Sequence, residues 1–145
     1  MNLQLVPATD LYLPFARDLT RRAMLPYYAR HDLLWQDAGF EAAWHWRDNQ
    51  LVCDGERVLG YLSLSSDAQA LFIRELHLEV DCRGQGVGSW VLGQVISICQ
   101  RKRLPLLRLM VFKGNPAQAL YRRHGFAVVG DDDSFLRMER KIQPA

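Results

Sequence analysis

A glycine-rich loop, Arg83-Gly84-Gln85-Gly86-Val87-Gly88-Ser89, constrains the fold of this chain more than any other stretch. It follows an extended apolar segment, Leu71 to Val80, and precedes an amphipathic helical pattern, Ser89 to Arg101. Glycine lets the backbone turn sharply and lets a ligand approach the main chain closely. A helix that begins at such a loop directs free N–H groups and the positive end of its dipole toward it. The loop therefore predicts a phosphate-bearing cofactor.

The spacing of the glycines separates this loop from two familiar phosphate-binding patterns. A P-loop requires a Gly-Lys-Ser/Thr sequence, and no lysine follows Gly88. The dinucleotide fingerprint requires Gly-x-Gly-x-x-Gly, whereas these glycines fall at positions 84, 86 and 88. Taken alone, the loop could also be a structural turn between a strand and a helix.

A second motif lies thirty residues further along the chain, as Asn-Pro-Ala-Gln-Ala-Leu-Tyr-Arg-Arg-His-Gly-Phe at positions 115–126. Asn115 is a favourable N-cap, Pro116 suits the first helical position and Gly125 suits the C-terminal stop. The pattern predicts a short helix with clear ends, over residues 116–124.

Together, the Arg-x-x-Gly-x-Gly and Asn-Pro-Ala-x-x-Leu-Tyr-x-x-x-Gly-Phe motifs resemble those of the GNAT superfamily of acetyl-CoA-dependent N-acetyltransferases. The resemblance covers about residues 50–140, and the first fifty residues match only in helical character. It implies an α/β fold in a single GNAT-like domain over residues 1–145. That fold has a mixed central sheet of about six to seven strands, helices on both faces and a splayed cofactor cleft.

The resemblance also implies which residues hold acetyl-CoA, the co-substrate. The pantetheine arm would bond to the backbone of the strand before the loop, and the pyrophosphate would rest on main-chain N–H groups of the loop. Asn115 and the start of the following helix would border the pantetheine on its other side. The expected cofactor-binding residues are Leu78, Val80, Arg83, Gly84, Gln85, Gly86, Val87, Gly88, Ser89, Asn115, Ala117 and Tyr121.

Acetyl transfer to an amine needs a base, because a lysine-like amine with a pKa near ~10.4 is only about one part in 10³ neutral at pH 7. Glu75, His77 and Glu79 alternate along one strand and should share a face. Glu75 is the preferred base, acting directly or through water, with His77 as the second candidate. In the family, the tyrosine that matches Tyr121 commonly protonates the departing thiolate. The alternatives are solvated polar residues on a half-exposed strand and a packing tyrosine on an amphipathic helix.

The acceptor amine is the least determined part of the prediction. In GNAT enzymes the first two helices usually line the acceptor site, and here that region is rich in aromatic residues and carboxylates. Such a mixture suits a cationic amine with an apolar body. Tyr28, His31, Trp35 and Glu75 are the expected acceptor contacts, although aromatic residues there could equally pack against the sheet. A metabolite, an antibiotic, a polyamine and a protein amine all remain open as acceptors.

Composition agrees with one enzyme domain in the cytoplasm. The 145 residues are 49% hydrophobic and 23% charged, with a net charge of +2 that argues for neither nucleic acid nor an acidic membrane. Cys53, Cys82 and Cys99 form no Cys-x-x-Cys pair, which predicts reduced, partly buried thiols. The histidines show no metal-ligand spacing with them, so no metal is expected. The N-terminus has no signal-peptide pattern, and no segment is long enough to span a membrane.

Local patterns predict the remaining elements. Asp54-Gly55 is a hairpin signal between two strands. The predicted strands are 2–6, 51–53, 58–64, 71–80, 106–112, 126–129 and 135–141, and the predicted helices are 11–28, 40–46, 89–101 and 116–124.

These observations predict an N-acetyltransferase that moves acetyl from acetyl-CoA to a primary amine by direct attack. The alternative is a non-catalytic acyl-CoA-binding sensor or interaction module. A nucleic-acid binder ranks third, because Arg101-Lys102-Arg103 and Arg122-Arg123 lie near helix ends, where cations are expected. A homodimer through sheet edges near the C-terminal strands is compatible with the resemblance.

Overall fold

The computed structural model of the protein describes residues 1–144, which form seven strands and four α-helices. The strands are β1 (Leu3–Pro7), β2 (Asp48–Asp54), β3 (Arg57–Ser66), β4 (Ala70–Leu78), β5 (Leu106–Phe112), β6 (Ala127–Asp131) and β7 (Phe135–Lys141). The helices are α1 (Leu13–Arg30), α2 (Asp37–Trp44), α3 (Val87–Arg101) and α4 (Ala117–Arg123).

The strands form one mixed sheet. They are hydrogen-bonded in the order β1-β2-β3-β4-β5-β7-β6. The β4–β5 pair is parallel, whereas β1–β2, β2–β3, β5–β7 and β6–β7 are antiparallel. The predicted α/β class with a mixed sheet of six to seven strands is therefore confirmed.

The chain divides into two compact units, and the first comprises Met1–Ser65 and Glu75–Gln85. Its core is an aromatic cluster in which Phe40 and Trp44 of α2 pack against Tyr61 of β3, together with Ala16 and Leu19 of α1. Ion pairs also join the two helices at the edge of this core. Arg17 Nη1 lies 2.9 Å from Glu41 Oε1, and Arg21 Nη1 lies 2.8 Å from Asp37 Oδ1.

The second unit comprises Ser66–Arg74 and the described chain from Gly86 onward. Its core includes the buried face of α3, whose apolar side chains recur at helical spacing. The parallel ladder pairs Ala70–Ile73 with Leu106–Leu109, so it ends before Glu75 although β4 continues to Leu78. Buried side chains of α3 are Val87, Val91, Leu92, Val95 and Cys99, and those of β5 and β7 include Leu107, Leu109 and Met138.

Several predicted boundaries differ from the structure. β2 begins at Asp48 rather than at residue 51, because its first three residues are polar and carry no strand signal. α3 begins at Val87 rather than at Ser89. The prediction that residues 71–80 are extended is wrong at its end, since β4 stops at Leu78 and Val80 begins a 3₁₀ turn, Val80–Cys82. The three cysteines are free and buried, as expected for reduced thiols.

Strands β3 and β4 approach each other closely at Gly60. A Cβ built on Gly60 would collide with the carbonyl oxygen of His77 and would lie 3.1 Å from Leu78 Cα and 2.7 Å from Leu78 Cδ2. The nearby backbone is fixed by a 2.8 Å hydrogen bond from the Glu79 amide to the Leu59 carbonyl. Only glycine therefore lets the end of β4 keep its position beside β3.

We expect Gly60→Ala to destabilise the protein by about 1–3 kcal/mol, because backbone atoms rather than flexible side-chain ends must shift. Gly39→Ala in α2 is the matched control, since a Cβ there meets nothing within 4 Å. In a helix that change should stabilise by about 0.5–1 kcal/mol. Urea unfolding of both variants measures the difference, and equal stability would contradict the close approach at Gly60.

Candidate active site

The glycine loop, residues 83–89, ends in the first turn of α3. Gly86 is the N-cap of this helix and has a φ of 82° and a ψ of 4°, a left-handed conformation that favours glycine. Because Gly86 makes the turn, Val87, Gly88 and Ser89 already belong to the helix. Their amides lie in the first turn, whose N–H groups have no acceptor within the helix. This half of the loop, in the second unit, therefore has the features that suit an anion.

The first half of the loop, in the first unit, is held by its own side chains. Arg83 donates from Nε and Nη2 to the Leu78 carbonyl, at 3.3 Å each, and Gln85 Nε2 donates to the Asp81 carbonyl at 3.0 Å. Val80 lies in the preceding turn with 71% of its surface exposed. A ligand that bonds to the Leu78 carbonyl would have to share that oxygen with Arg83.

Helix α4, in the second unit, has a defined start. The Asn115 Oδ1 atom accepts a hydrogen bond from the Ala117 amide at 2.9 Å, although the N-cap residue is Pro116, one position later than the sequence predicts. Gly88 of α3 lies against this helix, since a Cβ there would be 3.2 Å from Leu120 Cδ2. Gly88 thus packs against the helix whose first turn Asn115 and Ala117 form, within the second unit.

The C-terminal end of α4 fixes Tyr121. The Gly125 amide donates to the Arg122 carbonyl and the Phe126 amide donates to the Tyr121 carbonyl, both at 3.1 Å. These two bonds, with Gly125 at a φ of 86°, form a Schellman motif. The ring of Phe126 also makes an edge contact with the ring of Tyr121 at a centroid distance of 5.8 Å. Tyr121 is buried, and its backbone and ring are held independently.

A cluster of polar side chains surrounds Glu75 in the first unit; we call Tyr28, Arg47, Tyr61, Glu75 and His77 the Glu75 cluster. Glu75 Oε1 lies 2.8 Å from His77 Nε2, and Glu75 Oε2 lies 3.6 Å from Arg47 Nη1. The exposed fractions are 21% for the Glu75 side chain and 9% for His77. An ionised carboxylate only accepts hydrogen bonds, so the hydrogen shared with ionised Glu75 is on His77 Nε2. Glu75 and His77 are therefore held together rather than separately solvated.

The two tyrosines of the cluster, Tyr28 and Tyr61, are neutral groups near Glu75 and Arg47. Burial raises the pKa of Tyr28, the Glu75 carboxylate raises it further, and Arg47 opposes the rise. Burial likewise raises the pKa of Tyr61. Both phenols therefore keep their protons at neutral pH and can act as hydrogen-bond donors.

A buried hydrogen-bond chain supports the cluster from behind. The Tyr61 hydroxyl donates to Asn49 Oδ1 at 2.6 Å. The Asn49 Nδ2 group then donates to the carbonyl of Trp44 at 2.9 Å and to that of Arg47 at 3.3 Å. Hydrogen bonds through Asn49 of β2 and Tyr61 of β3 therefore hold the C-terminal end of α2 and the backbone of Arg47 in place. Sequence reasoning missed Arg47, Asn49 and Tyr61; a signal that could have marked them is an asparagine in a segment that pairs with an apolar strand.

Trp35 and His31, the other two expected acceptor contacts, lie outside the Glu75 cluster. Trp35 donates from Nε1 to Asp37 Oδ1 at 2.7 Å, and its ring packs against Tyr28 at 5.5 Å and Phe40 at 6.2 Å. Trp35 therefore adjoins the Glu75 cluster through Tyr28 while also packing on the core. His31 is the C-cap of α1 and is partly exposed.

Residues 1–144 meet the requirements of neither a metal site with three or more such ligands nor a membrane-spanning helix. Within that range, no group of three or more His, Cys, Asp or Glu side chains is arranged to hold a metal ion. No helix in the same range combines the length and the apolar character that a membrane span requires.

The structure resembles those of several acetyltransferases. PaiA N-acetyltransferase from Thermoplasma acidophilum, solved in complex with coenzyme A, matches with a TM-score of 0.77 at 17% identity, over 97% of this chain and 99% of that one. The ribosomal-protein-S18-alanine N-acetyltransferase of Escherichia coli matches with a TM-score of 0.78 at 19% identity, over 99% and 96%. A GNAT family acetyltransferase from Elizabethkingia anophelis, with acetyl-CoA bound, matches with a TM-score of 0.77 at 15% identity, over 97% and 99%. At these identities the likeness shows a shared fold.

The sequence itself matches a family model. Residues 13–126 match the model of the Acetyltransferase (GNAT) family, and this range contains both the glycine loop and α4. Since the match covers most of the chain and the fold agrees, this protein belongs to the GNAT family of acetyltransferases.

Proposed function

We propose that this protein transfers an acetyl group from acetyl-CoA to a primary amine by direct attack of the amine. The observation that carries the proposal is the Glu75 cluster, which holds a largely buried carboxylate between His77 and Arg47 in a chain of the acetyltransferase family. A carboxylate in such surroundings is suited to take a proton from an ammonium group, directly or through water.

The residues that would hold acetyl-CoA are those of the glycine loop and the start of α4. The first-turn amides of Val87, Gly88 and Ser89 suit the pyrophosphate, because Gly86 turns the backbone so that they begin a helix. Backbone groups of Leu78 and Val80, the loop residues Arg83 to Gln85, and Asn115 with Ala117 complete the proposed set. Bound acetyl-CoA supplies an activated acetyl thioester.

The proposed chemistry assigns one proton transfer to each of two side chains. Glu75 receives a proton from the amine, which makes the nitrogen lone pair available for the new bond to the acetyl carbon. His77 orients the Glu75 carboxylate through the 2.8 Å contact and is the second candidate for the base. Tyr121 donates its phenolic proton to the thiolate that leaves as the carbon–sulfur bond breaks. The acceptor amine would be received by Tyr28, His31, Trp35 and Glu75.

Binding of acetyl-CoA should depend on Gly86. Gly86→Glu places a negative side chain where the pyrophosphate is expected and strains the left-handed turn, so we expect calorimetric affinity for acetyl-CoA to fall by about 10²-fold or more. Gly93→Glu is the matched control, because Gly93 lies on the exposed side of α3 with open space around its Cα. Unchanged affinity in the Gly86 variant, or equal losses in both, would place the cofactor elsewhere.

Removing the Glu75 charge should slow the transfer without preventing cofactor binding. We expect Glu75→Gln to lower kcat by about 10²- to 10⁴-fold, measured as release of free coenzyme A, with the affinity for acetyl-CoA retained. Glu56→Gln, in the exposed β2–β3 turn, is the control and should keep wild-type activity. If His77→Asn abolishes turnover while Glu75→Gln does not, the base is His77.

The Tyr121 hydroxyl should matter for turnover rather than for binding. We expect Tyr121→Phe to reduce kcat by about 10²-fold or more, because the leaving thiolate loses its proton donor, while calorimetric affinity for acetyl-CoA stays within a few-fold. Tyr12→Phe, at a partly exposed tyrosine, provides the matched control. Full activity of the Tyr121 variant across the pH range would remove the acid role. Tight cofactor binding by the wild type with no transfer to any amine would instead favour the non-catalytic acyl-CoA-binding module.

A further inference from the structure

Arg47 is a largely buried cation with one buried donor atom, Nε, that has no hydrogen-bond partner among residues 1–144. Its side chain is 17% exposed. Glu75 provides the one carboxylate within 4.0 Å in that range, at 3.6 Å, which is too long for a hydrogen bond. Buried charged groups are normally both paired and hydrogen-bonded, because desolvation without compensation is costly. The incomplete pairing of Arg47 therefore requires an explanation.

The position of Arg47 is fixed although its charge is poorly compensated. Its guanidinium carbon lies 5.1 Å from the centroid of the Trp46 ring, in a cation–π arrangement. Its backbone carbonyl accepts the bond from Asn49, which Tyr61 holds in turn. Arg47 is thus held on both its main chain and its side chain. A guanidinium held in place in this way is the group that proteins use to bind carboxylates in a bidentate manner.

The charges around Arg47 define what the site would accept. Within the Glu75 cluster, Glu75 brings one negative charge and Arg47 one positive charge, Tyr28 and Tyr61 are neutral, and His77 contacts Glu75 Oε1 at 2.8 Å. An amine received at Glu75 would leave Arg47 facing the next group of the same molecule. A second cation there would be repelled, whereas an anion would complete the pairing of Arg47.

We propose that Arg47 is a subsite for a carboxylate of the acceptor, and that the acceptor class is free α-amino acids. This inference rests on the proposed function. The amine would lie at Glu75 and the carboxylate at the guanidinium of Arg47. Because Glu75 Oε2 and Arg47 Nη1 are only 3.6 Å apart, the two groups of the ligand must also be close neighbours, as they are in an α-amino acid. A peptide N-terminus has the amine without the neighbouring carboxylate, and a polyamine carries a second cation instead.

The test compares common α-amino acids with their carboxamides, which keep the amine and lose the carboxylate. Release of coenzyme A from acetyl-CoA gives kcat/KM for each pair in the wild type and in Arg47→Gln. For each protein, kcat/KM for the acid divided by kcat/KM for the amide gives its acid preference. Dividing the acid preference of the wild type by that of Arg47→Gln cancels the difference in intrinsic amine reactivity between acid and amide. We expect the wild type to favour the acids about 10- to 100-fold more than Arg47→Gln does, mainly through KM.

Two variants control this comparison. Arg47→Lys keeps the charge without the bidentate fork and should retain part of the preference. Arg101→Gln removes an exposed arginine at the end of α3 and should behave as the wild type. Circular dichroism reports whether Arg47→Gln is folded. If it is not, the wild type and Arg47→Lys still decide the matter through their acid-to-amide preferences.

Calorimetric titration with the same amino acids, in the presence of coenzyme A, separates this inference from the proposed function. Amino-acid binding that needs Arg47, without acetyl transfer to those amino acids or to any other amine, would support a carboxylate site at Arg47 and overturn the proposed function. Transfer to amides and acids alike, with Arg47→Gln lowering both equally, would leave the function standing and reduce Arg47 to a positioning residue for Glu75. Absence of both binding and transfer with every amino acid would overturn the subsite.

Discussion

Buried polar groups need partners, and in the first unit this requirement links the core to the chemistry. The Tyr61 hydroxyl is in the middle of an aromatic core, so it must donate to something, and it donates to Asn49. Asn49 donates its amide hydrogens to the carbonyl of Trp44, the last residue of α2, and to that of Arg47. The bond from Asn49 fixes the backbone of Arg47, and this backbone positions the Arg47 guanidinium beside Glu75. The hydrogen bond of the Tyr61 hydroxyl thus helps to position Arg47, the cation beside the proposed base Glu75.

The second unit depends on backbone conformation in a comparable way. α3 begins directly after the left-handed residue Gly86, and α4 ends where another left-handed glycine, Gly125, completes a Schellman motif. In both cases the helix end determines which groups are presented: the first-turn amides of α3 and the ring of Tyr121. A small number of glycines therefore sets the orientation of functional groups that themselves come from ordinary helical residues.

Elements whose signal is local could be predicted from the sequence. The strands Leu106–Phe112 and Phe135–Lys141 have the predicted bounds, because apolar runs and alternation mark them directly. The start of β2 was missed because Asp48, Asn49 and Gln50 are polar, although Asn49 is buried. The Glu75–His77 contact follows from the period of a strand, and strand alternation predicted that the two share a face. The 3.6 Å approach of Arg47 to Glu75 depends on register between segments distant in sequence, which no local pattern records.

The buried cysteines have a consequence for thiol-based assays of this protein. Burial raises the pKa of each of the three thiols, and Cys99 Sγ lies 3.4 Å from the carbonyl oxygens of both Leu104 and Leu106, either of which can accept its single hydrogen. Protonated, inaccessible thiols react slowly with disulfide reagents, since the thiolate is the nucleophile. The folded protein should therefore contribute little background to a colorimetric reading of released coenzyme A. A rise in that background over time would report unfolding in the same cuvette.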